Sequence, residues 1–139
     1  MPPMRNGMAG LRDFAERYTA AWCSGQPARV AGFYAPRGSL TINSGSPSVG
    51  RDAIQAAAQS FMTALPGMKV TMDSLRVDGE CVIYSWTLTG ANTGSGGTGR
   101  CVCISGFERW LIGQDGLIAR SHGQFDEREY ERQLRHGAG

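Results

Sequence analysis

The sequence has no apolar run near the ~20 residues that a membrane-spanning helix requires, so neither a transmembrane segment nor a membrane partner is expected. Its opening, MPPMRNGMAG, lacks the apolar stretch of a signal peptide. Residues 1–10 read as a disordered leader, and the expected location is the cytoplasm. Histidine is scarce, with two residues in the chain. The four cysteines, Cys23, Cys81, Cys101 and Cys103, form no CxxC pair and lie at no metal-ligand spacing from a histidine. No metal site is expected, and the thiols are expected to be buried and reduced. Fourteen Lys and Arg against twelve Asp and Glu leave a net charge of +2 with no basic run, too little to predict nucleic-acid binding. The glycine-rich stretch ANTGSGGTG lacks the GK[ST] of a phosphate-binding loop. It reads as a flexible hairpin end that could cover a pocket mouth.

What is present fits one globular domain over residues 11–136. The chain of 139 residues has 41% hydrophobic and 19% charged residues, the balance of a folded protein rather than a disordered one. Surface scaling leaves roughly 7,000 Å² exposed of about 21,000 Å² in the extended chain, so a sizeable core is possible. No internal repeat or interdomain linker is visible.

The first helix is expected from Leu11, where Leu11, Phe14, Ala15, Tyr18 and Trp22 follow a helical period. Gly25 fits its stop, and Pro27 opens a short helix carrying Val30, Phe33 and Tyr34, ended by Pro36 and Gly38. Residues 39–43 alternate as a strand. A third helix spans 51–65 with Ile54, Ala57, Ala58, Phe61, Met62 and Leu65 as its buried stripe. Strands are expected near 68–77, 81–90, 100–112 and 117–125, the last two joined by a tight turn at Gly113–Gly116. A short terminal helix begins at Asp126, whose spacing to Glu129 resembles a capping box, with Tyr130 and Leu134 anchoring it. The fold class is α+β, with helices covering one face of a curved antiparallel sheet.

Alternation assigns the faces. Val82, Tyr84, Trp86 and Leu88 share one face with Val102, Ile104, Gly106, Glu108, Trp110 and Ile112. In the last strand Leu117, Ala119, Ser121, Gly123 and Phe125 read as inward, and Ile118, Arg120, His122, Gln124 and Asp126 as outward. Glu108 is then the one charged residue on an apolar, aromatic face, where lost solvation raises its pKa. Small Ser121 and Gly123 opposite large aromatics suggest a cavity. Two alternatives stay open: a bulge that turns Glu108 to water, or a buried arginine partner.

The segments FAERYTAAWCSGQPARVAGFYAP, VGRDAIQAAAQSF, YSWTLTGANTGSGGTG and DGLIARSHGQFDEREYERQL, in that order, resemble the SnoaL-like polyketide cyclase group of the nuclear transport factor 2-like superfamily, over roughly Leu11 to Leu134. The resemblance implies a cone: a bent antiparallel sheet wrapped round helices, with a pocket inside. Members often dimerise through the sheet. Compared with ketosteroid isomerases of the same fold, Tyr18 falls on the pocket tyrosine and Glu108 on the neutral oxyanion-hole acid. The isomerases' general base falls near Asn43, which cannot abstract a proton. The catalytic aspartate that cyclases and limonene-type epoxide hydrolases carry on the last strand falls at Gly123.

The expected catalytic pair is therefore Glu108 and Tyr18, with Trp22, Asn43, Tyr84, Trp86, Trp110, Ser121, Gly123 and Phe125 as ligand-binding residues. Packing alone would equally explain Tyr18 and Trp22. His122 and Asp126 share a strand face, but that face reads as outward. The expected function is binding of a small hydrophobic, cyclic or aromatic molecule, with proton transfer (isomerisation, cyclisation or dehydration) that uses no cofactor. The alternative is a non-catalytic ligand carrier or dimerisation module. Cys101, Cys103, Phe107 and Leu111 make the outer sheet face apolar, so a homodimer through that face is expected.

Overall fold

The computed structural model describes residues 7–94 and 96–138. Its elements are α1 (Gly7–Cys23), α2 (Pro27–Ala31), β1 (Tyr34–Ile42), β2 (Ser48–Val49), α3 (Arg51–Ala64), β3 (Lys69–Asp78), β4 (Cys81–Ala91), β5 (Cys101–Ile112), β6 (Ile118–Phe125) and α4 (Glu127–His136). Helices and strands form an α+β fold around one sheet of six strands in the order β2-β1-β6-β5-β4-β3.

The sheet is mixed rather than wholly antiparallel, because β1 runs parallel to β6. The chain leaves β1 through β2 and α3 and crosses to the far edge at β3, so β1 meets the returning last strand side by side. β1 also starts earlier than the alternation in 39–43 suggests. The short helix ends at Ala31, and Tyr34, expected in that helix, is the first residue of the strand. The pairing of β1 with β6 is irregular between Tyr34 and Ser39, the stretch that holds Pro36, which has no N–H for a ladder bond. At Gly38 an added Cβ would lie 2.7 Å from the Ile118 carbonyl oxygen, so glycine lets the two strands close.

The helices bury the stripes that their periodicity marks. Leu11, Ala15, Tyr18 and Trp22 of α1 and Ile54, Ala58 and Met62 of α3 enter one core with the concave face of the sheet. α1 begins at Gly7 rather than Leu11, so residues 7–10 of the expected leader are helical; residues 1–6 lie outside the described residues. Asp126 caps α4 by accepting the Glu129 N–H at 3.0 Å. The reciprocal half of the box is replaced: Glu129 pairs with Arg132 at 2.6 Å and accepts from Gln133, which holds its carboxyl down to about 2.

The face assignment holds through β4 and β5 and through Ser121, Gly123 and Phe125 of β6. It fails at Ile118, which is fully buried. Leu111 faces Arg120 but Ile112 faces Ile118, so a bulge at Ala119 reverses the parity there. The cysteines are free but not buried: Cys23, Cys101 and Cys103 are exposed and Cys81 is half-buried. Cys101 and Cys103 occupy the outward positions of β5. The glycine-rich loop is tied down by Asn92, which donates to the Ala64 carbonyl at 2.7 Å and accepts the Thr98 N–H at 2.8 Å, while Thr98 bonds the Leu134 carbonyl. Its expected flexibility rests in part on Ser95, which lies outside the described residues.

Candidate functional site: a carboxyl group under an aromatic cavity

Glu108 lies mid-strand in β5, opposite Tyr84 of β4 and Gly123 of β6. It is 7% exposed. Three donors converge on its Oε1: the Tyr18 hydroxyl at 2.9 Å, Trp110 Nε1 at 2.8 Å and Ser121 Oγ at 2.8 Å. Oε2 has one longer contact, to the Tyr18 hydroxyl at 3.2 Å. Each donor follows from local structure. Tyr18 is on the core stripe of α1, Trp110 is two residues along the same face of β5, and Ser121 is directly across from Trp110 in β6.

A second layer holds the first. The Tyr34 hydroxyl is 2.9 Å from that of Tyr18. Tyr18 has one proton and spends it on the carboxyl group, so Tyr34 donates to Tyr18. The Tyr84 ring stacks on Trp110, centroids 4.8 Å apart and planes inclined by 16°, and its hydroxyl is 2.6 Å from Thr19 Oγ1. Thr19 donates to the Ala15 carbonyl, so Tyr84 donates to Thr19.

Two effects oppose each other at Glu108. Burial disfavours its charge and pushes its pKa up; the donors Trp110, Ser121 and Tyr18 pull it down. Burial is the larger. Among the described residues no arginine, lysine or histidine pairs with the group, which removes the buried-arginine alternative. Burial, with the adjacent Glu108 charge, also pushes Tyr18 and Tyr34 up, so both keep their protons as donors. With Oε1 saturated by three donors, the proton of a neutral Glu108 belongs on Oε2.

Glu108 forms the floor of a cavity of about 60 Å³. Trp22, Phe61 and Tyr130 border it from α1, α3 and α4; Leu40, Ile42, Val70, Tyr84, Trp86, Leu88, Ile104, Gly123 and Phe125 border it from the sheet. That space of about 60 Å³ holds about two waters and is well below the ~150 Å³ of an apolar cavity that takes up benzene. Glu108 is the one charged lining residue.

Of the residues singled out in the sequence, Glu108, Trp22, Tyr84, Trp86, Gly123 and Phe125 border the cavity. Tyr18, Trp110 and Ser121 lie behind Glu108 and hold it instead. Asn43 does neither. It takes a left-handed conformation, φ 53°, and ties β1 to β6: its N–H donates to the Gly123 carbonyl at 2.8 Å and its Oδ1 accepts the Phe125 N–H at 2.9 Å. His122 is exposed on the outer face against the Asn43 carbonyl, and Asp126 is spent on the α4 cap. Tyr34, Phe61 and Tyr130 were not marked as site residues. For Phe61 and Tyr130 the signal is present, since both lie on the apolar stripes of their helices. Trp22 Nε1 and Trp86 Nε1 are buried without a hydrogen-bond partner, as is Asn43 Nδ2.

Residues 15–121 match the family model of the SnoaL-like domain. The chain belongs to the SnoaL-like family. A protein of ketosteroid isomerase-like fold from Catenulispora acidiphila, solved with trimethylamine, is 15% identical over 87% of this chain and 91% of that one, TM-score 0.76. TsrD from Streptomyces laurentii is 23% identical over 91% and 95%, TM-score 0.76. The epoxide hydrolase/cyclase-like enzyme SalBIII is 13% identical over 88% and 95%, TM-score 0.74. At these identities the likeness is one of fold. Comparison with curated proteins gives no match.

Proposed function

We propose that this SnoaL-like domain binds a small hydrophobic molecule in its cavity and that Glu108 exchanges a proton with it without a cofactor. The observation that carries the reading is the floor of the cavity: a single carboxyl group, its Oε1 locked by three donors and its Oε2 with one longer contact, to Tyr18. Tyr18 then acts on Glu108 rather than on the ligand, and Trp110 and Ser121 position the same oxygen. Trp22, Tyr84, Trp86, Gly123 and Phe125 contact the guest, while Asn43 ties β1 to β6 beside Gly123 and Phe125. The reaction class that one acid group supports is isomerisation, cyclisation or dehydration. A cyclic or aromatic guest is larger than this space, so the reading favours a molecule of roughly two or three heavy atoms or one that displaces Phe61, Phe125 or Tyr130.

The fold's ligand and cyclase associations support the reading: a neighbour holds trimethylamine, and another acts in pyran ring formation. A carrier without catalysis is the second reading. The observation favouring it is that, among the described residues, no second carboxyl group and no histidine, lysine or arginine borders the cavity beside Glu108. Saturation-transfer NMR against a panel of small neutral, cyclic and basic molecules, repeated with Gly123→Leu, tests the cavity. Saturation transfer that Gly123→Leu abolishes supports it; a panel that never touches the wild-type chain contradicts it. Turnover of any bound molecule that Glu108→Gln removes separates enzyme from carrier.

Three exposed free cysteines fit a reducing compartment such as the cytoplasm. The proposed homodimer uses the outer face of β5, where Phe107 and Leu111 are half-buried beside exposed Cys101 and Cys103. Light scattering at micromolar concentration tests it, with a monomer mass as the contrary result.

A further inference from the structure

The donors around Glu108 are arranged for a charge of a particular sign. An anionic guest would need hydrogen-bond donors or a cation aimed into the cavity. Here the three donors are all spent on Oε1, no basic side chain among the described residues borders the space, and the nitrogens of Trp22 and Trp86 are buried. What borders the space is Glu108 among aromatic and aliphatic side chains.

The aromatic wall is a box rather than a stack. Trp86 and Phe125 are 5.9 Å apart and inclined by 66°, Phe125 and Tyr130 5.6 Å and 80°, Phe61 and Tyr130 6.2 Å and 51°, and Trp22 and Phe61 6.2 Å and 76°. Rings so inclined border a central guest from several directions. A cation within about 6 Å of such rings is attracted by their quadrupoles, and the attraction grows when water is excluded. A carboxylate at the floor, its charge already supported by three donors, completes the complement of a small organic cation.

We infer that the cavity, widened by displacement of Phe61, Phe125 or Tyr130, is selective for a small tertiary amine or quaternary ammonium, held as a cation by the Glu108 carboxylate and the rings of Trp22, Phe61, Trp86, Phe125 and Tyr130. The inference rests on the proposed cavity and names its guest. A tertiary amine that enters uncharged takes the proton of a neutral Glu108: the Oε2–H bond breaks, the nitrogen lone pair forms the new N–H bond, and carboxylate and ammonium remain paired. A quaternary ammonium cannot take a proton, so it binds only as Glu108 releases one to solvent. The other titratable groups facing Glu108 are Tyr18 of α1, Tyr34 of β1 and Tyr84 of β4, and all three are pushed upward by burial. They stay neutral between pH 5 and pH 9, so a pH dependence in that range reports Glu108.

The test is calorimetric titration of the intact chain with tetramethylammonium chloride, which is charged at every pH, and with tert-butanol, a neutral molecule of the same size. The expected result at pH 8 is tetramethylammonium binding at least about tenfold tighter than tert-butanol. Below the Glu108 titration that preference falls by about tenfold per pH unit, because one proton must leave. Glu108→Gln should bring the two affinities within about threefold and remove the pH dependence. Trp86→Leu, which leaves the carboxyl network intact, should narrow the preference several-fold, and it decides the matter if Glu108→Gln does not fold. Tert-butanol binding as tightly as tetramethylammonium in the wild-type chain would overturn the ammonium inference and leave the small-molecule cavity standing. Binding of neither, together with an empty NMR panel, would overturn both.

Discussion

Glu108 and Arg109 are neighbours in β5, and alternation sends them to opposite faces of one sheet. Arg109 reaches Asp78 at 3.2 Å in an ion pair whose side chains are 46% and 48% exposed. Water already solvates both charges there, so the pair adds little to stability. Among the described residues Glu108 has no opposite charge beside it, and its buried carboxyl group is held by donors from one helix and two strands. The outer charge can be read from its partner; the inner one must be read from its surroundings. What separates the two is solvation.

The largest expected effect comes from breaking the inner side. Trp110→Ala removes a fully buried ring, the stacking partner of Tyr84 and one Glu108 donor. It should cost about 3–5 kcal/mol in denaturant unfolding. Gly123→Leu probes the same face more gently. An added Cβ there meets Glu108 Cγ at 3.5 Å, an ordinary contact, so the longer side chain is directed into the cavity. The variant should fold with a loss of about 1–3 kcal/mol from overpacking and should no longer bind a guest. Unchanged binding would mean that Gly123 does not border the guest.

Part of this contrast is legible in the sequence. Alternation alone puts Glu108 inward and Arg109 outward, and the helical period of α1 puts Tyr18 toward the core. Ser121 is legible as inward, but its bond to Glu108 is not, because it depends on the exact register of β6 against β5. Ile118 was misread as outward, since a bulge at Ala119 adds a residue that periodicity cannot see. Tyr34 was misread as helical: its spacing from Val30 fits a helix, and Pro36 reads as a helix stop as readily as an irregular strand. The parallel pairing of β1 with β6 is settled by the path of the chain through α3, a long-range fact. Trp110 was expected to line the pocket; its indole N–H instead follows the strongest acceptor within reach, the buried carboxyl group two residues away.

Glu108→Gln sharpens the comparison. The amide keeps an oxygen for the three donors and cannot ionise. A raised folded pKa means that the unfolded chain ionises first, so wild-type stability from this group is fully present below about pH 4.3, declines as pH rises from there, and levels off above the folded pKa. The variant should lack that decline and be within about 1 kcal/mol of wild type or more stable at pH 7. Urea midpoints of both chains from pH 4 to pH 8 would show the two curves separating with rising pH; parallel curves would remove the burial argument. The smallest effect belongs to the outer face. Arg109→Ala should leave the melting temperature and the ligand affinity nearly unchanged, as thermal melts and titrations can show.

At Glu108 desolvation outweighs three hydrogen bonds. Carbon-detected NMR titration of the Glu108 side-chain carboxyl measures it directly in the ligand-free chain. The account predicts a single titration clearly above the ordinary glutamate value of about 4.3, shifted further upward in Ser121→Ala, which removes one donor. A carboxyl group titrating at or below about 4.3 would contradict it, because the donors would then have won and the empty cavity would already hold a bare carboxylate.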